Sequence, residues 1–393
     1  MPEFLPGNSV TLLNSGQEYF PALLQAIDQA HREIFLESYI FADDCIGQAV
    51  AAALARAARR QVAVRVLVDG FGARDFPETF GPLLQAAGVQ YLIYRQEVAR
   101  FRLRRHRLRR LHRKLVVIDG RVAFVGGINI VDDNNAPAAL RPRYDYSVRV
   151  EGPLLVPIRQ AVRRMWENVA WASFKRRYRL PDHDPCPGCP ESSGEQRAAF
   201  LLRDNIRHRN AIANAYLEAI HGARESVCIA NAYFLPGFRF RHALRAAVQR
   251  GIRVTILLQG QTDHPLLQYA TQALYGALLE EGIRIFEYRK SFLHAKVAVV
   301  DGHWATVGSS NIDPFSLLLA KESNVVVDDP GFARELSQSL EAAMAEGATE
   351  LTAGDLERLP LHSRLLRWLS YGLVRLFVGA AGYGPRHWRG EQH

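Results

Sequence analysis

His112, Lys114 and Asp119 stand close together in the stretch HRKLVVIDG, and the same three types recur as His294, Lys296 and Asp301 in HAKVAVVDG. A neutral imidazole is a nucleophile and base near neutral pH, and its protonated form is a general acid. A lysine ammonium is a compact charge suited to phosphate oxygens. Displacement at phosphorus through a covalent intermediate needs a nucleophile and an acid. One copy supplies one His and one Lys; two facing copies supply both pairs around a single phosphate.

The two stretches belong to a repeat. Residues 112–130 and 294–312 match at an offset of 182, with ten of nineteen positions identical. On a strand, residues two apart face one side, so His112 projects with Lys114 and His294 with Lys296. Asp119 lies at an odd spacing from His112 and faces the other way, which assigns it to the following turn. Asp301 has the same parity. Gly126 and Gly127, like Gly308, Ser309 and Ser310, allow donors to approach closely. Asn129 and Asn311 add uncharged donors. A lone His on an apolar strand is usually a satisfied core residue. That reading does not explain two lysines inside apolar strands when the chain holds only five lysines among 49 basic residues.

Each half reads as the same series of elements. A helix leads to a strand ending near Tyr39 or Tyr233. An Ala-rich amphipathic helix follows (49–60; 242–250), then a strand (62–69; 252–259), a helix (78–87; 266–281) and a strand (90–94; 283–288). The His-Lys strand and its partner come next (114–118 and 122–126; 296–300 and 303–307), and a last strand closes the series (144–150; 322–328). Alternating strands and helices predict an α/β fold. The reading is two tandem domains, residues 1–177 and 196–345, joined by a Pro/Gly/Ser-rich linker at 178–195 and followed by a tail at 346–393. A pseudo-two-fold axis would relate them, with the site between.

The chain has 393 residues, a formal net charge of +9 and a pI of about 9.5. A basic chain favours acidic partners. Four cysteines are too few for a disulfide scaffold and point to a reducing compartment. CPGC at 186–189, near His183, has the spacing of half a zinc site without a second pair, so no metal is expected. The N-terminal residues lack the pattern of a signal peptide, and no apolar window is long enough to span a bilayer.

The doubled H-x-K-x4-D-x6-G-[GS]-x-N resembles the phospholipase D superfamily. Within it, HRKLVVIDGRVAFVGGIN, IANAYFLPGFRFRHALR and HWATVGSSNIDPFSL look like the bacterial cardiolipin synthases of the B type, over about residues 8 to 345. The resemblance implies two phospholipase D-like α-β-α sandwich domains and a cofactor-free, metal-free, two-step phosphatidyl transfer between phosphatidylglycerols, yielding cardiolipin and glycerol. It implies that one His attacks phosphorus and the other handles the proton. His112 is taken as nucleophile and His294 as acid and base, although the pseudo-symmetry nearly equates them. Lys114, Lys296, Asn129 and Asn311 would hold the non-bridging phosphate oxygens, with Ser309 binding the phosphate or supporting the site. The resemblance also implies an orienting acid on the last strand of each half, where Asp145 and Glu322 stand.

Two segments suggest contact with an anionic phospholipid surface. Residues 95–113 hold nine Arg and one Glu, and the second half has only RKSFL there. Val98, Phe101, Leu108 and Leu111 interrupt the charges. Residues 363–384 place Leu365, Leu366, Trp368, Leu369, Leu373, Leu376 and Phe377 among Arg364, Arg367 and Arg375, a pattern for lying in an interface. These features, with the resemblance, predict a peripheral enzyme on the cytoplasmic side of a bacterial inner membrane, with no nucleic-acid partner. A hydrolase passing the phosphatidyl group to water would use the same residues. A nuclease of the superfamily or a membrane adaptor would not need both the doubled motif and the apolar tail.

Overall fold

The structure is a computed structural model describing residues 2–95, 109–180, 192–205, 207–261, 265–358 and 360–380. Val98, Phe101 and Leu108 of the arginine run, and CPGC with His183, lie outside these residues.

The first half opens with β1 (Leu5–Asn14), α1 (Ser15–Asp28), β2 (Glu33–Ser38), α2 (Cys45–Arg59) and β3 (Ala63–Asp69). It continues through α3 (Phe76–Thr79), α4 (Gly81–Ala86), β4 (Gln90–Tyr94), β5 (Lys114–Ile118) and β6 (Val122–Gly126). It ends with β7 (Arg143–Tyr144), β8 (Tyr146–Glu151) and α5 (Leu155–Ala172). The second half repeats this with β9 (Gln196–Arg203), α6 (Ala211–Gly222), β10 (Ser226–Asn231), α7 (Phe238–Gln249) and β11 (Arg253–Gln259). Then come α8 (Pro265–Gln272), α9 (Tyr275–Glu280), β12 (Arg284–Tyr288), β13 (Phe292–Leu293), β14 (Lys296–Val300) and β15 (Trp304–Gly308). The half closes with α10 (Pro314–Leu318), β16 (Glu322–Asp328) and α11 (Pro330–Gly347). The chain goes on to β17 (Ala348–Glu350), α12 (Ala353–Glu357) and α13 (Leu361–Ala380).

The strand order displays the two-fold relation. From the centre outwards the first half runs β1-β8-β6-β5-β2-β3-β4, and the second runs β9-β16-β15-β14-β10-β11-β12-β17. The halves meet where β1 pairs antiparallel with β9. Past their first lysine, the motif strands β5 and β14 are apolar at every position because both faces are covered. Leu115 and Val117 face an inner core with Val297 and Val299, shared by the two halves and flanked by α5 and α11. Val116 and Ile118 face an outer core under α1 and α2. Hydroxyls lock the halves: Tyr144 and Tyr146 both meet Ser339 of α11, at 3.0 and 2.9 Å.

The structure adds elements to the sequence reading. Strands β1 and β9 and helices α5 and α11 were not in the predicted series, yet they carry the junction and the inner core. The single helix expected at 78–87 is two, because Gly81 and Pro82 start a new first turn after Phe80. The helix expected at 266–281 divides into α8 and α9. Residues 348–350, counted with the tail, form a strand on β12. Helix α13 is packed on one side and exposed on the other. Val374 joins the outer core of the second half, while Leu365, Trp368, Leu369 and Leu376 are more than half exposed. Among the described residues, no helix is long and apolar enough to cross a membrane.

Candidate active site

His112 and His294 precede β5 and β14, at the end of each sheet nearest the other half. The backbone N–H of His112 donates to the Lys321 carbonyl at 2.9 Å, and that of His294 to the Tyr144 carbonyl at 2.7 Å. Lys321 and Tyr144 immediately precede Glu322 and Asp145. This crossing carries the carboxylate of each half to the imidazole of the other. His112 Nδ1 lies 3.0 and 3.1 Å from the two Glu322 oxygens. His294 Nδ1 lies 2.6 Å from Asp145 Oδ2. Each carboxylate thus selects the tautomer with the proton on Nδ1 and leaves Nε2 as the lone-pair nitrogen.

The lysines complete each pair differently. Lys114 Nζ donates to the His112 carbonyl at 2.7 Å and sits 5.4 Å above the Tyr39 ring. Lys296 Nζ lies 2.8 Å from His294 Nδ1 and 3.4 Å from Asp145, and it also donates to the His294 carbonyl. Tyr39, whose ring centroid is 5.0 Å from that of His112, is a site residue the sequence reading passed over. In the repeat its place is taken by Ala232, and the ring stacked on His294, at 5.8 Å, is instead Phe292.

Burial controls the electrostatics. It lowers His112 below the usual imidazole value, with Glu322 opposing. Burial and then the Lys296 ammonium push His294 down to about 4, against Asp145. Burial also takes Lys114 down to about 7 and lowers Lys296. Burial pushes Asp145 and Glu322 up, but the cations beside them win and hold both below the usual carboxylate range. With both lysines charged, the two carboxylates balance them and the imidazoles stay neutral. A phosphodiester entering with one negative charge shifts that balance towards one imidazolium.

Asp119 and Asp301 recur in the motif with His and Lys and were expected to hold the turn that follows them; they anchor a different one. Asp119 accepts N–H bonds from His31, Arg32 and Glu33 at 2.8–2.9 Å. Asp301 accepts three from Arg224, Glu225 and Ser226 at 2.8–2.9 Å. Both have positive φ, 54° and 51°. They stand past the far ends of the motif strands, roughly 15 Å from the lysines at about 3.3 Å per residue. They therefore tie the turn before the neighbouring strand, not the turn that follows them in sequence. Ser309, expected to bind the phosphate or support the site, is fully buried and donates to Glu322 at 2.5 Å. It fixes the carboxylate. Its counterpart Gly127 packs on Asp145 so closely that a Cβ would lie 2.3 Å from a carboxylate oxygen. Asn129 accepts the Ile40 N–H at 3.0 Å through Oδ1, which leaves its amide donors for a ligand. Asn311 is buried, and its Oδ1 has no partner among the described residues.

Comparison with known proteins agrees with this geometry. A family profile described as "Cardiolipin synthase, PLD-like domain" matches residues 23–166 and 216–344. The chain is 39% identical over 381 residues to Cardiolipin synthase B of Escherichia coli K12, covering 97% of this chain and 91% of that one. It is 32% identical over 355 residues to Cardiolipin synthase A of Pseudomonas putida KT2440, covering 90% and 71%. Among solved structures, phosphatidylserine synthase of Haemophilus influenzae shares the fold, with TM-score 0.69 at 13% identity over 97% and 96% of the two chains. Polyphosphate kinase of Porphyromonas gingivalis shares it at TM-score 0.58 and 15% identity, over 95% and 53%. The doubled motif, the two matched segments and the near full-length identity place this chain in the cardiolipin synthase family of phospholipase D-like proteins.

Proposed function

We propose that the chain is a cardiolipin synthase that moves a phosphatidyl group from one phosphatidylglycerol to another. The observation that supports it is the crossed pair of imidazoles, each held at Nδ1 by the opposite half, with Nε2 left for chemistry at one phosphorus. His112 Nε2 attacks the phosphodiester and forms a phosphatidyl-histidine. The bond to glycerol breaks, and His294 gives the departing oxygen its proton. His294 then takes the proton from a hydroxyl of the second phosphatidylglycerol, whose oxygen attacks phosphorus and releases His112 and cardiolipin. The bracketing of His112 by both Glu322 oxygens and by Tyr39 favours it as nucleophile, because a nucleophile must be held in direction. The contact of His294 with both Asp145 and Lys296 suits a proton carrier. Lys114, Lys296 and the Asn129 amide stabilise the charge that builds on the non-bridging oxygens.

The exposed apolar face of α13, with Arg364 and Arg375, supports the reading of the enzyme as a peripheral protein on an anionic bilayer surface, which we take to be the cytoplasmic face. Two assays test these statements. Labelled phosphatidylglycerol given to purified protein should yield cardiolipin and glycerol. Phosphatidic acid as the main product would make the chain a hydrolase, and no turnover would reject both. His112→Ala and His294→Ala should each abolish product. Trp368→Ser with Leu369→Ser should reduce flotation with phosphatidylglycerol vesicles, and unchanged flotation would remove α13 from the membrane contact.

A further inference from the structure

The pseudo-two-fold axis gives the molecule two grooves where the halves meet, one beside α5 and one beside α11. They differ in charge. The groove beside α11 is lined by Arg141, Arg143 and Lys290, but also by Glu18, Asp133 and Glu346. Lys290 is held there by Glu346 at 2.7 Å. The groove beside α5, about 290 Å³, is lined by Arg113, Arg164, Arg203 and Lys321, with Asp204 as its one carboxylate. In the repeat, Lys321 corresponds to Tyr144 and Arg113 to Ala295. These two basic residues therefore break the symmetry at this groove.

Two of these cations lack partners. Lys321 is half-buried, and among the described residues its ammonium makes no hydrogen bond or ion pair. Burial and the neighbouring Arg113 and Arg203 lower Lys321, with Asp204 and Glu37 opposing them, and a half-buried cation so placed is costly unless an anion joins it. Arg164 projects from α5 with no partner among the described residues. Arg113 is 5% exposed; Glu37 holds its Nη2 at 2.7 Å, and its buried Nε has no acceptor. Three cationic groups from three separate segments thus converge on one polar groove with unspent donors.

We propose that this groove is a second phosphate-binding site, distinct from the reacting centre, that takes the phosphate group of an anionic lipid headgroup or a free phosphate ion. The site lies one residue from the chemistry on both strands. Lys321 precedes Glu322, and its backbone accepts from His112 and donates to Arg110 at 2.9 and 2.8 Å. A phosphate bound between Lys321 and Arg164 ties α5 to the segment that presents Glu322 to His112. This assignment does not depend on which lipid the catalytic histidines use.

Calorimetric titration of inorganic phosphate into the full chain tests it. Wild type should bind two phosphates, one at the histidines and one in the groove. Lys321→Met should bind one. Arg164→Gln, on an exposed position that folding does not need, should keep two sites with the second weakened about tenfold, the loss of one charge-assisted contact. A single site in wild type, or an Arg164→Gln titration identical to wild type, overturns the proposal even if Lys321→Met fails to fold. Flotation with phosphatidylcholine vesicles containing phosphatidic acid separates the sources. Weaker flotation of Arg164→Gln identifies a lipid headgroup, and unchanged flotation with the altered titration identifies the free ion.

Discussion

Replacing Glu322 by Gln should disable His112, the histidine of the other half, and leave His294 intact. Glu322 is fully buried and meets His112 Nδ1 with both oxygens, at 3.0 and 3.1 Å, while Ser309 donates to one of them at 2.5 Å. A glutamine can face its oxygen to His112 and its amide to the Ser309 hydroxyl. The tautomer then survives and only the charge is lost. A hydrogen bond to a charged group contributes about 1.5–3 kcal/mol, so kcat should fall roughly 10- to 100-fold. If the amide turns the other way, the wrong tautomer is selected, and the loss approaches the roughly 10⁴ seen for such a change in a serine-protease triad. The histidine ring signals in nitrogen-15 spectra read the cause directly. The His112 Nδ1–H resonance should move and its pKa should drop, since Glu322 raises it. The acidic limb of kcat/KM, where neutral His112 is needed, should move to lower pH. Asp145→Asn should do the same to His294. If Glu322→Gln instead perturbs His294 and spares His112, the crossed arrangement is wrong.

Asp119→Ala removes three backbone N–H acceptors far from the reacting groups. Urea unfolding should show a loss of about 2–4 kcal/mol, with kcat near wild type below the transition; a large kcat loss at unchanged stability would return Asp119 to the chemistry. Lys114→Met should abolish turnover and yet stabilise the empty enzyme at pH 7. Burial lowers Lys114 from 10.5 to about 7, a penalty bounded by roughly 1.4 kcal/mol per unit, and after the bond to His112 is lost about 2 kcal/mol of gain should remain in urea melts; a less stable variant would refute the reasoning. His294 falls from 6.5 to about 4, so the unfolded chain binds the proton more readily, and stability should fall as pH drops from about 6.5 to about 4. His294→Gln should flatten that part of the thermal-melt profile, and an unchanged slope would count against it. Glu37→Ala strands a buried Arg113 and should cost about 3–5 kcal/mol, whereas Glu37→Ala with Arg113→Ala should recover most of it; additive losses in chemical denaturation would contradict this.

The sequence carried the skeleton of the site because its pattern is local. His112 and Lys114 share a face by strand parity, and repetition excludes coincidence. What crosses between the halves was not legible. Glu322 and His112 are 210 residues apart, and no periodicity says which imidazole a given carboxylate meets. Whether Ser309 binds phosphate or supports the site was open for a related reason. A small hydroxyl residue after a strand suits a phosphate equally well, and only packing against Glu322 decides. Strand β1 was missed because Pro6 and Gly7 interrupt its alternation, with Gly7 at a φ of 84°. The signal for helix α5, apolar residues at helical spacing from Leu155 to Val169, lies beyond the last strand of the repeated series.

The departures from symmetry tell most about function. Glu37 and Arg113 form a buried pair at 2.6 Å in the first half, and the repeat has Ala230 and Ala295 in both places. Tyr39 faces Lys114 and His112, where the repeat has Ala232. Lys321 stands where the repeat has Tyr144. A buried ion pair contributes little stability compared with apolar packing, so the first half did not acquire these groups to fold better. Each lies within two residues of His112, of Glu322 or of the strand end beside Lys114. A reaction in two unlike steps needs two unlike sides. The repeated framework supplies two related imidazole–lysine pairs, and these substitutions make the surroundings of one unlike those of the other.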